Sequence, residues 1–218
     1  MSKRQSARAE PAEVVREYGP FQPGERVHGV THDGERVWFA TGERLRALDP
    51  DTGELSGELT LAADAGTAYD GKHLYQLADG HIQKVDPASG RVLARLPIPG
   101  EGGGAGLTWA EGKLWLAKHT ARKILQIDPE TGAVLRTLES NRFVTGVTWA
   151  DGQLWHATLE DGVSELRGLD PESGEVLERL IMPEGAKVSG LERHGELFFC
   201  GGADSGKIRA VKRVRSAR

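Results

Sequence analysis

Apolar and polar residues alternate in short runs along this chain, and a glycine-containing turn ends most of them. The stretch from Ala105 to Leu138 shows the unit. Ala105-Gly106-Leu107-Thr108-Trp109 alternates, Ala110-Glu111-Gly112-Lys113 turns the chain, and Leu114-Trp115-Leu116-Ala117 forms a second run. A third run, Ile124 to Ile127, leads through Asp128-Pro129-Glu130-Thr131-Gly132 into a fourth, Ala133 to Leu138. Period-two alternation bounded by Asp-Gly, Glu-Gly and Asp-Pro turns predicts four short strands. Proline after Asp presets φ for the turn, and the glycine near its end supplies the positive φ.

The Asp-Pro turn recurs at Asp49, Asp86, Asp128 and Asp170, at spacings of 37, 42 and 42 residues. A period near 40 is the mark of a repeat architecture. The same frame fits Val27–Leu61, Asp64–Pro97 and Val144–Met182. A fifth copy starts at Val188 and stops after its third strand, near Val214. Its missing strand is at the other end of the chain, where Glu13-Val14-Val15-Arg16-Glu17-Tyr18 resembles Glu175-Val176-Leu177-Glu178-Arg179-Leu180. The prediction is an all-β, five-bladed β-propeller of four-stranded blades, the last one completed by the N-terminal strand. Such closure protects strand edges. One domain covers residues 1–218, with residues 1–11 expected to be flexible. The blades fall at about 25–62, 63–98, 104–140, 143–182, and 187–215 with 12–19.

Strand polarity assigns the loops to two faces. Turns between first and second strands, and the Asp-Pro turns, are short and uniform and share one face. Connections between second and third strands, and between blades, diverge in length and share the opposite, irregular face. Variable loops on a rigid scaffold collect binding residues.

Equivalent positions across the copies show where the repeat is broken. The innermost strand carries Gly29, Gly66, Gly106, Gly146 and Gly190, as crowding at the axis requires. Just before them stand His28, Ala65, Ala105, Thr145 and Ser189, among which His28 is the outlier. The second strand carries an aromatic wedge, read as Trp38, Tyr75, Trp115, Trp155 and Phe198. The next position is Phe39, Gln76, Leu116, His156 and Phe199, where Gln76 and His156 are polar. His28 and His156 are expected to converge across the channel as a catalytic acid/base pair or as ligands. The competing reading has each imidazole filling its slot and bonding a backbone carbonyl. The remaining substrate-contacting candidates are Phe39, Gln76, Lys118, His119, Arg142, Phe143, Glu160 and Phe199. Lys118, His119, Arg122 and Arg142 would favour an anion. Glu160 or Asp161 would orient His156. Cys200 is read as core packing, Trp109 and Trp149 as packing residues, and His32, His73, His81 and His194 as turn or surface residues.

Composition narrows the partners. Net charge is −4 with a pI near 6.0, so no basic footprint points to nucleic acid. No apolar run approaches the roughly 20 residues of a membrane span. The basic N-terminus lacks the apolar stretch of a secretory signal, so a cytoplasmic protein is expected, and a closed ring with charged outer strands needs no partner, so a monomer is expected. A single cysteine excludes an internal disulfide. No cofactor is expected; a divalent metal between the two histidines is the alternative, although no His-Glu-x-x-His motif is present. The expected partner is a small-molecule or peptide ligand.

The pattern Gly-Leu-Thr-Trp-x-x-Gly-x-Leu-Trp followed by Ile-Asp-Pro-x-Thr-Gly resembles two propeller groups, the glutaminyl cyclotransferases and the virginiamycin B lyase-like proteins. The resemblance covers nearly the whole chain and implies a five-bladed propeller with lyase or cyclase chemistry. The cyclotransferase's first blade reads Phe-Thr-Gln-Gly-Leu, then Leu-Tyr-Glu-Ser-Thr-Gly. Thr41 and Gly42 match it, but Phe39 stands at the position of that family's catalytic Glu and His28 at its Gln. Three functions follow as expectations: a small-molecule lyase or cyclase using the histidines, a non-catalytic binding scaffold, or glutamine cyclisation despite Phe39.

Overall fold

A computed structural model describes residues 7 and 9–212 and places them in 21 strands, with no helix among them. Strands β1 (Ala9–Pro11) and β2 (Glu13–Tyr18) open the chain. Blade 1 contains β3 (Val30–His32), β4 (Val37–Ala40), β5 (Gly42–Leu48) and β6 (Leu55–Ala63). Blade 2 contains β7 (Thr67–Tyr69), β8 (Leu74–Ala78), β9 (His81–Val85) and β10 (Val92–Pro97). Blade 3 contains β11 (Leu107–Ala110), β12 (Lys113–Lys118), β13 (Lys123–Ile127) and β14 (Val134–Glu139). Blade 4 contains β15 (Phe143–Ala150), β16 (Gln153–Glu160), β17 (Val163–Leu169) and β18 (Val176–Ile181). Blade 5 joins β19 (Gly190–His194), β20 (Leu197–Gly201) and β21 (Ile208–Lys212) to the N-terminal β2. The innermost strands touch in a closed cycle, β3 to β7, β11, β15, β19 and back to β3. The molecule is a five-bladed β-propeller closed as the repeat predicted.

One element departs from expectation. Residues 9–11 form a strand, pairing in parallel with Arg179–Ile181 as a fifth strand on blade 4. The neighbouring blade 4 edge gives this short segment backbone partners that its sequence does not advertise. The rest of the segment expected to be flexible, residues 1–6 and 8, lies outside the described residues, as does Val214.

Turn chemistry does what the repeat requires. In blade 1 the Asp49 carboxylate accepts from the backbone N–H groups of Asp51 (2.7 Å) and Thr52 (3.1 Å), while the Gly53 N–H reaches the Asp49 carbonyl (2.7 Å). The turns also join blades: Tyr18 and Arg16 of blade 5 donate to the Pro50 carbonyl, and Arg136 of blade 3 donates to that of Pro171.

Five apolar clusters fill the spaces between blades, each built around an aromatic wedge that leans on the next blade. Trp38 donates to Asp33 (2.6 Å) and Tyr75 to Asp70 (3.2 Å), both in the first turn of their own blade. Trp109 and Trp149 stack on the wedges Tyr75 and Trp115, with ring centroids 5.5 and 6.0 Å apart. In blade 3 the position of Asp33 and Asp70 is Ala110, and the buried Trp115 N–H has no partner.

The fifth wedge is Phe199, not Phe198. Gly146 pairs with Ala157 and Gly190 with Gly201, so the residue aligned with Trp155 is Phe199, nine positions after its glycine in both blades (155−146, 199−190). Phe199 packs with Tyr18, Val30 and Phe39 against blade 1, whereas Phe198 and Cys200 face blade 4. Two adjacent phenylalanines concealed the register. Cys200 therefore occupies the position of His156, and burial pushes its thiol up to about 12, in keeping with a packing role.

The ring closes on glycine. A Cβ on Gly29 would stand 2.7 Å from the Gly66 Cα, and one on Gly66 would stand 2.6 Å from the Gly106 Cα. One on Gly106 would meet the Gly146 Cα at 2.6 Å, one on Gly146 the Gly190 carbonyl carbon at 2.9 Å, and one on Gly190 the Gly29 Cα at 2.8 Å. These obstacles are backbone and cannot swing aside. Gly106→Ala is expected to destabilise the fold by about 3 kcal/mol or more, and Gly103→Ala, with open space around it, by less than about 0.5 kcal/mol. Chemical denaturation of the two variants checks the difference.

Candidate functional site

The position that follows each wedge faces the preceding blade, because successive side chains alternate between the two faces of a sheet. Phe39 is fully buried there and stacks on Phe21 with centroids 4.5 Å apart. Gln76 is also fully buried, and its amide donates to the carbonyls of Ala65 (3.1 Å) and Leu77 (2.9 Å). His156 pairs with Val147 and points into the seam between blades 3 and 4. Neither of its nitrogens has a partner. Burial, reinforced by Arg167, pulls its pKa down to about 3, so the imidazole is neutral at physiological pH.

His28 is half-buried at the irregular mouth of the ring. Burial lowers its pKa, with Arg26 acting in the same direction and Asp64 and Asp204 opposing. Arg26 pairs with Asp204 at 2.8 Å. The charges that act on His28 (Arg26, Asp64, Asp204) and on His156 (Arg167, Glu165) are entirely different sets. The expected pairing of the two imidazoles is not among the hydrogen bonds of the described residues, and each belongs to its own surroundings. Among those residues no group of three His, Cys, Asp or Glu side chains comes together to hold a metal.

The other candidates gather on the irregular side of blades 3 and 4. Lys118 is buried and donates to the carbonyls of Pro99 (3.1 Å) and Gly102 (2.7 Å), which pins the linker between blades 2 and 3. Phe143 carries the Arg122 guanidinium 4.2 Å from its centroid and the His119 ring at 5.0 Å. Glu160 pairs with Arg122 at 3.4 Å, and its second oxygen is buried without a partner. Arg142 reaches Glu165 at 3.2 Å. Glu165 is also held by Arg167 (2.9 Å) and Arg179 (2.8 Å), so three guanidinium groups converge on one carboxylate. Arg167 further donates to the Asn141 side chain at 2.7 Å. Arg167, Arg179, Glu165 and Asn141 were absent from the sequence-based set.

Glu192 was missed for another reason: it lies toward the regular face. Two residues after each inner glycine stand Thr31, Ala68, Thr108, Thr148 and Glu192. Thr148 of blade 4 donates to one Glu192 oxygen (2.7 Å) and Thr31 of blade 1 to the other (2.9 Å). Blades 4 and 1 are not neighbours, so a carboxyl that bridges them lies at the axis. Burial raises its pKa to about 7, against hydrogen bonds from Thr148, the Arg193 N–H and Thr31, and against the Arg193 charge. His32, on β3, and His194 stack near this end of the ring with centroids 3.6 Å apart.

The fold and these features define the class of protein, a five-bladed propeller with a polar seam on its irregular side. The family model described as outer membrane protein assembly factor BamB matches residues 78–211, more than half of the chain, and the chain belongs to that family. No curated protein matches the sequence. Among solved structures, Myxococcus xanthus glutaminyl cyclase is similar with a TM-score of 0.78 at 18% identity, covering 95% of this chain and 98% of its own. The Cps50 (Swd1) β-propeller domain of Myceliophteria thermophila follows, with a TM-score of 0.57 at 10% identity over 94% of this chain and all of that domain. Kuenenia stuttgartiensis hydrazine synthase is similar over 82% of this chain and 55% of its own, at 17% identity and a TM-score of 0.53. At these identities the likeness is one of fold.

The pH dependence of Glu192 has a definite sign. The unfolded carboxyl loses its proton near 4.5 and the folded one near 7. Between those values the folded state binds more protons, so stability falls as pH rises and levels off above about 7. The loss attributable to this group is roughly 3 kcal/mol. Glu192→Gln is expected to match the wild type below pH 4.5 and to exceed it at pH 8, as read from unfolding curves of both proteins across that range.

Proposed function

We propose that this protein is a ligand-binding propeller that takes a small molecule on its irregular side, at the seam between blades 3 and 4. The observation that carries the reading is the polarity of that seam. His156 is buried there where most repeat equivalents are apolar or small, and the buried Arg167 faces a second arginine, Arg179, across its strand pair. Burying unpaired polar groups costs free energy that a fold gains nothing by incurring, unless another molecule meets them.

The likeness to glutaminyl cyclase is a likeness of scaffold, which keeps a cyclase-type enzyme as the second reading. Two features argue for binding without that chemistry. Phe39, at the position of the cyclotransferase acid, has no proton to move and is stacked inside the core. His156 is neutral and buried, with no hydrogen-bond partner on either nitrogen to pass a proton to or from it. Histidine acid/base catalysis is therefore not part of the proposal.

Screening a small-molecule library by amide NMR tests the reading. Binders are expected to perturb residues 118–122, 139–143 and 158–165. Perturbations confined to the Asp-Pro turns, or none, would contradict it. Incubation with an N-terminal glutamine peptide is expected to release no ammonia, and release would return the assignment to glutamine cyclisation.

A further inference from the structure

The repeat itself shows which charges in the seam are unbalanced. In three blades the third strand carries an arginine at the same buried position: Arg46, Arg167 and Arg209. Strand pairing sets Arg46 opposite Glu58 and Arg209 opposite Glu17. Both pairs are closed by direct contacts, Arg46 to Glu58 at 3.0 Å and Arg209 to Glu17 at 2.8 Å. In blade 4 the residue opposite Arg167 is Arg179. Like charges directly across a ladder destabilise it, and the segment between blades 3 and 4 adds a third guanidinium, Arg142. Among the ion pairs of the described residues, Glu165 is the one carboxylate shared by these three. Arg122 and Glu160 nearby cancel one another. Among the described residues these paired groups carry two more positive charges than negative ones, in a chain whose overall charge is −4.

Access and a donor complete the arrangement. The side chains of Arg142 and Arg179 keep 26% and 29% of their surface exposed, so a ligand can reach them from solvent. Arg167 lies behind them at 6% exposure. His156, in register with Arg167 on the same sheet face, is 1% exposed and has no partner for either nitrogen. A neutral imidazole always has one N–H to donate. Guanidinium forks match the paired oxygens of carboxylates and phosphates.

We propose that Arg142, Arg167 and Arg179, held together by Glu165 and backed by His156, form a binding site for a small molecule bearing a carboxylate or phosphate group. The assignment rests on the irregular-side reading above and names the ligand's chemistry. The oxyanion would lie across Arg142 and Arg179, supplying the negative charge that Glu58 and Glu17 supply within blades 1 and 5.

Thermal unfolding of the full chain tests this, titrated with inorganic phosphate or with succinate against sodium chloride at equal ionic strength. At least one of the two anions is expected to raise the midpoint in a concentration-dependent way that chloride does not reproduce. Arg179→Glu installs the charge pattern of blades 1 and 5 and is expected to abolish the rise while unfolding stays cooperative. Arg142→Gln, altering a partly exposed side chain, is expected to weaken the response about tenfold, which keeps the test decisive if Arg179→Glu does not fold. The proposal is overturned if neither anion exceeds chloride, or if both variants respond as the wild type does. Failure here alongside NMR-detected binders at the same loops would remove the oxyanion and leave the irregular-side function standing.

Discussion

Five glycines in backbone contact around the axis set the geometry of everything else in this molecule. Because each inner strand approaches the next without a side chain between, the blades are drawn together there, and apolar clusters built on the wedge aromatics fill the space farther out. Two polar clusters are built onto this frame. At one end Glu192 is fixed by hydroxyls from blades on either side of its own. At the other, the longer loops of blades 3 and 4 bring cationic side chains over a seam that the packing leaves partly open.

The scaffold shared with glutaminyl cyclase and with other propellers does not carry a fixed chemistry, since function on such rings resides in the residues grafted onto them. Here the grafting is visible as a contrast between blades. Blades 1 and 5 place an arginine and a glutamate across the outer pair of strands and close the contact internally. Blade 4 puts arginines in both places and recruits its carboxylate from two residues along the same strand, Glu165. A closed pair within a blade is a structural element. An excess of guanidinium groups at a solvent-reachable edge is the feature on which the proposed oxyanion site rests.

How much of this was legible in the sequence depended on the kind of information required. The Asp-Pro turns and their spacing specified the blades, and the likeness of Glu13–Tyr18 to Glu175–Leu180 specified the closure, because turn chemistry and strand period are local properties. Strand β1 was illegible: three residues ending in proline show no alternation, and their pairing comes from blade 4. The wedge of blade 5 was misassigned between Phe198 and Phe199, although the constant interval from Gly190 held the answer. Glu192 stands out only once positions two after each glycine are aligned. The opposition of Arg167 and Arg179 could not be read at all, because a register shift at Gly168/Leu169 intervenes between the turn and the pair. Lys118, His119, Arg142, Phe143 and Glu160 were selected for their loops, and the structure gathers them on the side expected. His156 was selected for its polarity, but alternation directs it into the seam with blade 3 instead of toward His28.

The arginine excess of blade 4 is proposed to receive an oxyanion. A high-resolution crystal structure of the protein equilibrated with phosphate at low chloride addresses it most directly. Tetrahedral density is expected within hydrogen-bonding distance of Arg142 and Arg179, with Glu165 still holding Arg167. Guanidinium groups closed on Glu165, with only water beside them at saturating phosphate, would contradict it.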